Sequence, residues 1–299
     1  MQLALADTMP LSLRLRDLVV LTKPRITLMV VITALAGMWL APVTVSPLKA
    51  WIMLLTTAGV VSSASVLNCW LERDVDRLMR RTASRPLPAG RMQPKVALVF
   101  GLLLGLVALP LQLIWVNGLT AALSAFSLFT YVVLYTPLKQ RSPLALWMGA
   151  IPGAMPPLMG WTAATAQLDP PGLVLFALMF IWQVPHFMAI SIFRKEEYAR
   201  AGMRVPPLVW GERAAKFQGV LYAAALLPVS LWLVPMGVVG HAYLWVAGVL
   251  GAGFLALSAY GLIASSGPNW ARSWFFTSLI YLTAIFVLLF VDARVPLRA

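Results

Sequence analysis

Nine long apolar stretches follow one another along this chain, and that succession restricts its fold more than any other feature. They run roughly over 26–43, 51–72, 95–114, 118–136, 144–163, 171–193, 217–236, 242–264 and 273–291. Each is near the ~20 apolar residues that cross a bilayer as a helix. Hydrocarbon offers no partner to an unpaired backbone amide, so such stretches are stable there as helices. The expected fold is an all-α integral membrane protein of about nine transmembrane helices, forming a single domain over residues 1–299. Residues 1–22 would be a cytoplasmic N-terminal segment in which Leu11 to Leu21 forms a short surface helix. Composition agrees, with 61% hydrophobic and 11% charged residues, far outside soluble averages. Proline and glycine inside several stretches are tolerated in membrane helices.

The basic residues divide unevenly between the two ends of these helices. Arg14, Arg16, Lys23, Arg25, Arg73 through Lys95, Lys139, Arg141, Arg194 through Lys216 and Arg272 share the N-terminal side. They are 20 of the 23 lysines and arginines; only Lys49, Arg294 and Arg298 fall on the other side. Positive residues stay in the cytoplasm. The N-terminus is therefore expected inside and the C-terminus outside, and an odd helix count agrees. The net charge of +13 is mainly this topology signal, and no soluble basic domain is left to hold a nucleic acid. The single cysteine, Cys69, excludes an internal disulfide and a thiolate metal site; it reads as a packing residue. Asp7 ahead of the first arginines, with no small-residue cleavage site, does not read as a signal peptide.

Chemistry concentrates at the end of the second stretch. Asn68, Glu72 and Asp76 stand four residues apart. On a helix each step of four turns about 40° and climbs about 6 Å, so the three side chains form one oxygen-lined stripe. An arginine-rich loop follows at once, with Arg77, Arg80, Arg81, Arg85 and Arg91 interleaved with Pro86, Pro88 and Gly90. Those breakers make it a shaped loop rather than a solvated run. Carboxylates at the end of a membrane helix are costly unless paired or metal-bound. Oxygen ligands beside arginines suit a hard cation carrying a phosphorylated substrate. The plainer alternative is neutralisation of Glu72 and Asp76 by Arg73 and Arg80, from which Asn68 gains nothing. Asp74 projects about 160° from Asp76 and is expected to pair with a basic neighbour. Basic loops are the default on a cytoplasmic face, and Arg213, Lys216 and Arg272 need no other account.

A second polar cluster, Trp182-Gln183-Val184-Pro185-His186-Phe187, interrupts the sixth stretch, followed by Arg194-Lys195-Glu196-Glu197-Tyr198. A lone histidine in an apolar span is most often a satisfied core residue. Pro185 before it suggests a kink that opens a cavity. An imidazole in such a cavity could ligate iron or accept a proton. His241 falls in an outer loop.

Asn68-x-x-x-Glu72-x-x-x-Asp76, followed by Arg81-Thr-x-x-Arg85-Pro-Leu-Pro-x-Gly90, resembles the first signature of the UbiA-type intramembrane prenyltransferases. Within that superfamily the chain is similar to the haem-farnesylating branch. The narrower likeness rests on Leu21-Thr22-Lys23-Pro24-Arg25, on Tyr135-Thr136-Pro137-Leu138-Lys139 and on the block from Gly149 to Trp161 with Pro152, Gly153, Pro156, Pro157 and Gly160. It rests further on Trp182-Gln183-x-Pro185-His186-Phe187 and Tyr198-x-x-Ala201-Gly202. Most superfamily members carry a second aspartate-rich motif after the sixth helix, where this chain has Gln183, His186 and Glu197. Ala145 and Arg204 stand where the branch leads one to expect Asn and Pro.

The resemblance implies a Mg²⁺-dependent enzyme that transfers the farnesyl group of farnesyl diphosphate to a vinyl group of haem b. Water then captures the carbocation, giving haem O and pyrophosphate. It implies catalytic roles for Asn68, Glu72, Asp76, Arg81 and Arg85, the first three holding Mg²⁺. It implies substrate contacts from Lys23, Arg25, Lys139, Gln183, His186, Arg194, Glu197 and Tyr198, with haem b a substrate and not a permanent cofactor. On this reading neutral His186 coordinates or closely approaches the iron; activating the capturing water, or a hydrogen bond within the bundle, are its other roles. The implied setting is the bacterial cytoplasmic (inner) membrane, with the active site toward the cytoplasm. The partners are the lipid bilayer and a downstream haem A synthase or terminal oxidase assembly, with no nucleic acid. A sister enzyme prenylating a quinone or chlorin precursor is the alternative within the class. A transporter of an anionic substrate is the alternative outside it.

Overall fold

The computed structural model describes residues 10–264 and 267–294; Asp7 with the first nine residues, and Arg298, lie outside them. Among the described residues the chain is helical, apart from one isolated bridge between Val239 and Ala293. The surface helix expected at the N-terminus is α1 (Leu11–Leu21), followed by α2 (Pro24–Leu40) and α3 (Pro47–Leu71). A single turn, α4 (Arg73–Asp76), extends α3. Then come α5 (Pro94–Trp115) and α6 (Gly118–Phe129), which runs through a π-helical turn over Thr130–Tyr135 into α7 (Thr136–Leu138). The rest is α8 (Ala145–Thr165), α9 (Pro170–Phe193), the short α10 (Lys195–Arg200) and α11 (Pro206–Val209), α12 (Glu212–Leu231), α13 (His241–Ile263) and α14 (Pro268–Val291).

Each of the nine apolar stretches thus coincides with a long helix. Among the described residues seven helices are long and apolar enough to cross a membrane, making this an integral membrane protein; an eighth span arises if α1 and α2, bent by 47°, count as one. The helix α2 has only 17 residues, and α8 carries Pro152, Pro156 and Pro157 inside it. Six helices begin on proline, at Pro24, Pro47, Pro94, Pro170, Pro206 and Pro268. The missing N–H of proline costs nothing at a first helical position.

Small residues set the closest crossings. A Cβ on Gly37 would strike the Pro157 carbonyl, and one on Gly160 would strike that of Ala34, so α2 and α8 pack backbone to backbone. The face of α5 carrying Ala97, Gly101 and Gly105 meets α3, where Ser63 Oγ donates to the Gly101 carbonyl at 2.7 Å. Its other face shows Leu103, Leu106 and Val107 to the lipid. In a bilayer, association depends on such packing and on interhelical hydrogen bonds, because lipid is as apolar as leucine. Helices α12–α14 pack behind α9 around the fully buried Trp274, Tyr243, Phe254 and Tyr281. Cys69, as expected, is a buried packing residue, beside Leu21, Val66 and Leu87.

Candidate active site

The helix α3 stops at Leu71, yet the four-residue register continues through the break. Glu72 N–H donates to the Asn68 carbonyl at 2.9 Å and Asp76 N–H to the Glu72 carbonyl at 2.8 Å. The stripe therefore stays straight across the junction with α4. Asn68, Glu72 and Asp76 are 1%, 5% and 1% exposed, and all three line one cavity of about 640 Å³. Asp74 points away and meets Arg73 and Arg77, each at 3.7 Å.

Each side chain of the stripe meets a cation from another segment. Lys23 Nζ donates to Asn68 Oδ1 at 3.0 Å, while Asn68 Nδ2 donates to Thr136 Oγ1 at 3.2 Å. Lys139 Nζ stands 3.0 Å from Glu72 Oε1, and Arg85 Nη1 stands 2.7 Å from Asp76 Oδ2. The neutralising partners are thus Lys139 and Arg85, not Arg73 and Arg80. Arg73 instead donates to the Trp70 carbonyl. Burial works against the Lys139 ammonium, but the Tyr135 oxygen and the Glu72 carboxylate hold its pKa well above the ordinary lysine value, so it is cationic at neutral pH.

The loop after α4 is folded as its prolines suggested. Pro86, Leu87 and Pro88 are buried, Arg77 Nε donates to the Pro88 carbonyl at 3.2 Å, and Thr82 Oγ1 caps the Asp76 carbonyl at 2.8 Å. Gly90 takes φ +72°, a conformation that favours glycine. Arg91 grips Asp17 of α1 through Nε at 3.1 Å and Nη2 at 3.3 Å. That contact ties the surface helix to the loop. Lys23, at the bend after α1, has a left-handed backbone with φ +50°, a strained state for a non-glycine residue. The bend turns its side chain onto Asn68.

From this polar end the cavity runs inward between α2, α3, α6, α8 and α9. Its walls there are Val60, Ala64, Leu128, Pro152, Pro156 and Met159. A Cβ on Gly153 would overlap the Gln183 amide, so glycine is what lets Gln183 reach the Ala150 carbonyl at 3.2 Å.

Of the residues expected at a site, the structure brings together Lys23, Asn68, Glu72, Asp76, Arg81, Arg85, Lys139, Gln183 and Tyr198. Arg25, His186, Arg194 and Glu197 do not line this cavity. Arg194 and Glu197 pair with each other at 2.8 Å in a separate polar hollow. Pro185 does not break α9, which runs unbroken from Pro170 to Phe193. Gln183, Phe187 and Ile190 form its cavity face. Trp182 and His186 form the neighbouring face, against α14. There His186 Nδ1 lies 2.7 Å from Ser278 Oγ, and its ring stacks on Trp182 at 4.6 Å and leans on Phe275 at 4.8 Å.

Sequence reasoning missed Tyr131 and Tyr135. With Lys139 they repeat the four-residue spacing of the acidic stripe, which was the available signal. Their rings lie 5.2 Å apart, and Lys139 Nζ sits 4.7 Å over the Tyr135 ring.

The donor set fits a hard divalent cation. Three oxygen-bearing side chains converge, and Asp76 Oδ1 is buried with no hydrogen-bond partner. Among the described residues no three acidic, histidine or cysteine side chains form a metal cluster. A metal would take carboxylates only from Glu72 and Asp76, as Mg²⁺ does where substrate phosphates complete its shell.

A family model described as the UbiA prenyltransferase family matches residues 30–280. A protoheme IX farnesyltransferase of Anaeromyxobacter sp. (strain Fw109-5) is 51% identical over 292 residues, covering 97% of this chain and 98% of that relative. Another, of Myxococcus xanthus (strain DK1622), is 51% identical over 280 residues, covering 94% and 95%. Among solved structures, a digeranylgeranylglyceryl phosphate synthase shares the fold with a TM-score of 0.81 at 17% identity, over 93% of this chain and 98% of that one. A UbiA homologue from Archaeoglobus fulgidus bound to GPP and Mg²⁺ shares it with a TM-score of 0.66 at 15% identity, over 92% and 99%.

Proposed function

Because the chain belongs to the UbiA prenyltransferase family, we propose that it farnesylates haem b and adds water, releasing haem O and pyrophosphate. The observation that carries this reading is that one cavity joins a cationic, oxygen-lined end to an apolar depth. The farnesyl tail would lie along Val60, Ala64, Leu128 and Met159, and its diphosphate beside Arg81, Arg85 and Lys139. Asn68, Glu72 and Asp76 would hold Mg²⁺, which when bound supplies positive charge to the leaving diphosphate.

The C1–O bond of farnesyl diphosphate breaks as the π electrons of a haem vinyl group bond to C1. Arg81, Arg85 and Lys139 stabilise the charge gathering on pyrophosphate, being fixed in place before the reaction. Arg85 is held by Asp76 and Lys139 by Glu72. The apolar walls keep water from the allylic carbon during this step. The cation left beside the macrocycle then takes up water, which loses a proton and becomes the hydroxyl group. Tyr131, Tyr135, Phe187 and Tyr198 are the aromatic side chains of this cavity. They are the candidates for facing the cations.

The same reading has nine spans in a bacterial cytoplasmic membrane, with the N-terminus and the cavity mouth toward the cytoplasm and the C-terminus outside. Support comes from Lys23, Arg81, Arg85 and Lys139, which all belong to the basic side of the chain and all line one end of the cavity. The product would pass to a haem A synthase or to terminal oxidase assembly.

Haem extracted from cells expressing the chain tests this function. A more hydrophobic haem, heavier than haem b by one farnesyl group and one hydroxyl, is expected. Unaltered haem b in cells supplied with farnesyl diphosphate would overturn it.

A further inference from the structure

The cavity holds more positive charge than its farnesyl substrate needs. Lys23, Arg81, Arg85, Lys139 and Arg204 line it against two carboxylates, Glu72 and Asp76. A prenyl diphosphate brings about three negative charges, and a divalent cation offsets two of them. The filled donor site would still be positive. Charge left over in a partly enclosed site selects for an anionic second ligand.

Part of that surplus is at Arg204. Lys23, Lys139 and Arg85 are each engaged by an oxygen of the stripe. Arg204 has no ion-pair partner among the described residues. It is an exposed residue of a loop anchored on both sides. Before it, Met203 is buried with Met79 and Ala201, and its N–H donates to the Tyr198 carbonyl at 3.0 Å. After it, Pro206 and Pro207 are buried. Met203, Arg204 and Val205 all line the cavity. The backbone that carries Arg204 is thus fixed on a rim packed against Met79, while the side chain itself is exposed.

We propose that Arg204 binds a carboxylate of the acceptor, so that this chain selects its tetrapyrrole as the free acid. This rests on the proposed function. The propionates of haem b lie on the edge of the macrocycle away from the reacting vinyl group. On this proposal the macrocycle lies with that vinyl beside the allylic carbon and a propionate toward Arg204. A guanidinium suits a carboxylate there because it offers two parallel N–H donors.

Haem b and its dimethyl ester, offered to the full-length protein in lipid nanodiscs, test the assignment. The wild type should show a KM for the acid about tenfold below that for the ester, the size of one charge-assisted hydrogen bond. Arg204→Gln should raise the KM for the acid about tenfold, leaving those for the ester and for farnesyl diphosphate in place. Arg204→Lys should fall between. An equal rise for acid and ester, no rise, or a rise for farnesyl diphosphate instead would overturn the assignment. If neither tetrapyrrole is farnesylated, the proposed function fails separately. Fluorescence-quenching titrations with the same two compounds then decide the Arg204 assignment: affinity lost for the acid alone upholds it, and unchanged affinity overturns it.

Discussion

Arg85 Nη1 lies 2.7 Å from Asp76 Oδ2, while Asp76 Oδ1 is buried without a hydrogen-bond partner. One carboxylate oxygen orients the arginine and the other remains for a ligand. The pair thus joins the arginine-rich loop to the oxygen-lined stripe. It also changes what a substitution at Asp76 does. A group at the membrane edge would be lost at little cost, but Asp76 is 1% exposed, and removing one member of a buried pair is strongly destabilising.

Asp76→Asn is therefore the informative variant, because it keeps the shape and an acceptor. Turnover should fall by two orders of magnitude or more, on the order of removing a preorganised electrostatic contact. Folding, read by thermal melting in detergent, should survive. Arg85→Lys keeps the charge and loses the fork, and should lower kcat more than it raises the KM for haem. A change confined to haem affinity would count against the diphosphate role of Arg85.

Glu72 and Lys139 form a parallel pair, and here the metal is the discriminating reagent. If Glu72 ligates Mg²⁺, Glu72→Gln should raise the Mg²⁺ concentration for half-maximal activity by about tenfold or more. A Mg²⁺ requirement equal to that of the wild type would leave Glu72 as the counter-ion of Lys139 alone.

His186 packs against α14 and does not line the cavity, its Nδ1 lying 2.7 Å from Ser278 Oγ. Haem-loaded His186→Ala protein should keep the wild-type Soret band. It should unfold more readily, by about 1–3 kcal/mol, because the hydrogen bond to Ser278 and the packing of the ring on Trp182 and Phe275 are lost. A shifted Soret band in this variant would restore a role as iron ligand.

Glu197 provides a pH signature. Burial pushes its carboxyl up, but the Arg194 hydrogen bond, the Arg194 charge and the backbone and charge of Arg81 outweigh it and hold the pKa below the ordinary value. A depressed carboxylate stabilises the fold above its unfolded pKa, and that contribution is lost as pH falls through the folded one. The melting temperature of the wild type should exceed that of Glu197→Gln at neutral pH. The gap should close as pH falls below the usual carboxylate range. A gap independent of pH would show that the ion pair does not carry the difference.

Length and apolarity made the helices legible from the sequence, since bilayer thickness and backbone hydrogen bonding leave a stretch of ~20 apolar residues one stable form. The stripe of Asn68, Glu72 and Asp76 was equally legible, because neighbours four apart share a helix face by local geometry. The Arg77–Arg91 loop announced itself through its prolines. Which face of each helix looks into the cavity was decided only by tertiary packing. In a soluble helix polarity marks the outward face, but lipid is as apolar as a packed neighbour, so that signal is missing here. Gln183 and His186 stand three residues apart in one motif, yet Gln183 faces the cavity and His186 faces Ser278. Lys23 and Arg25 are closer still, and only the left-handed bend at Lys23 turns it inward. The pairings of Lys23 with Asn68 and Lys139 with Glu72 join residues 45 and 67 positions apart. No local periodicity reaches that far; the backbone contacts of α2 with α8, and the neighbours that fix α3, set those distances.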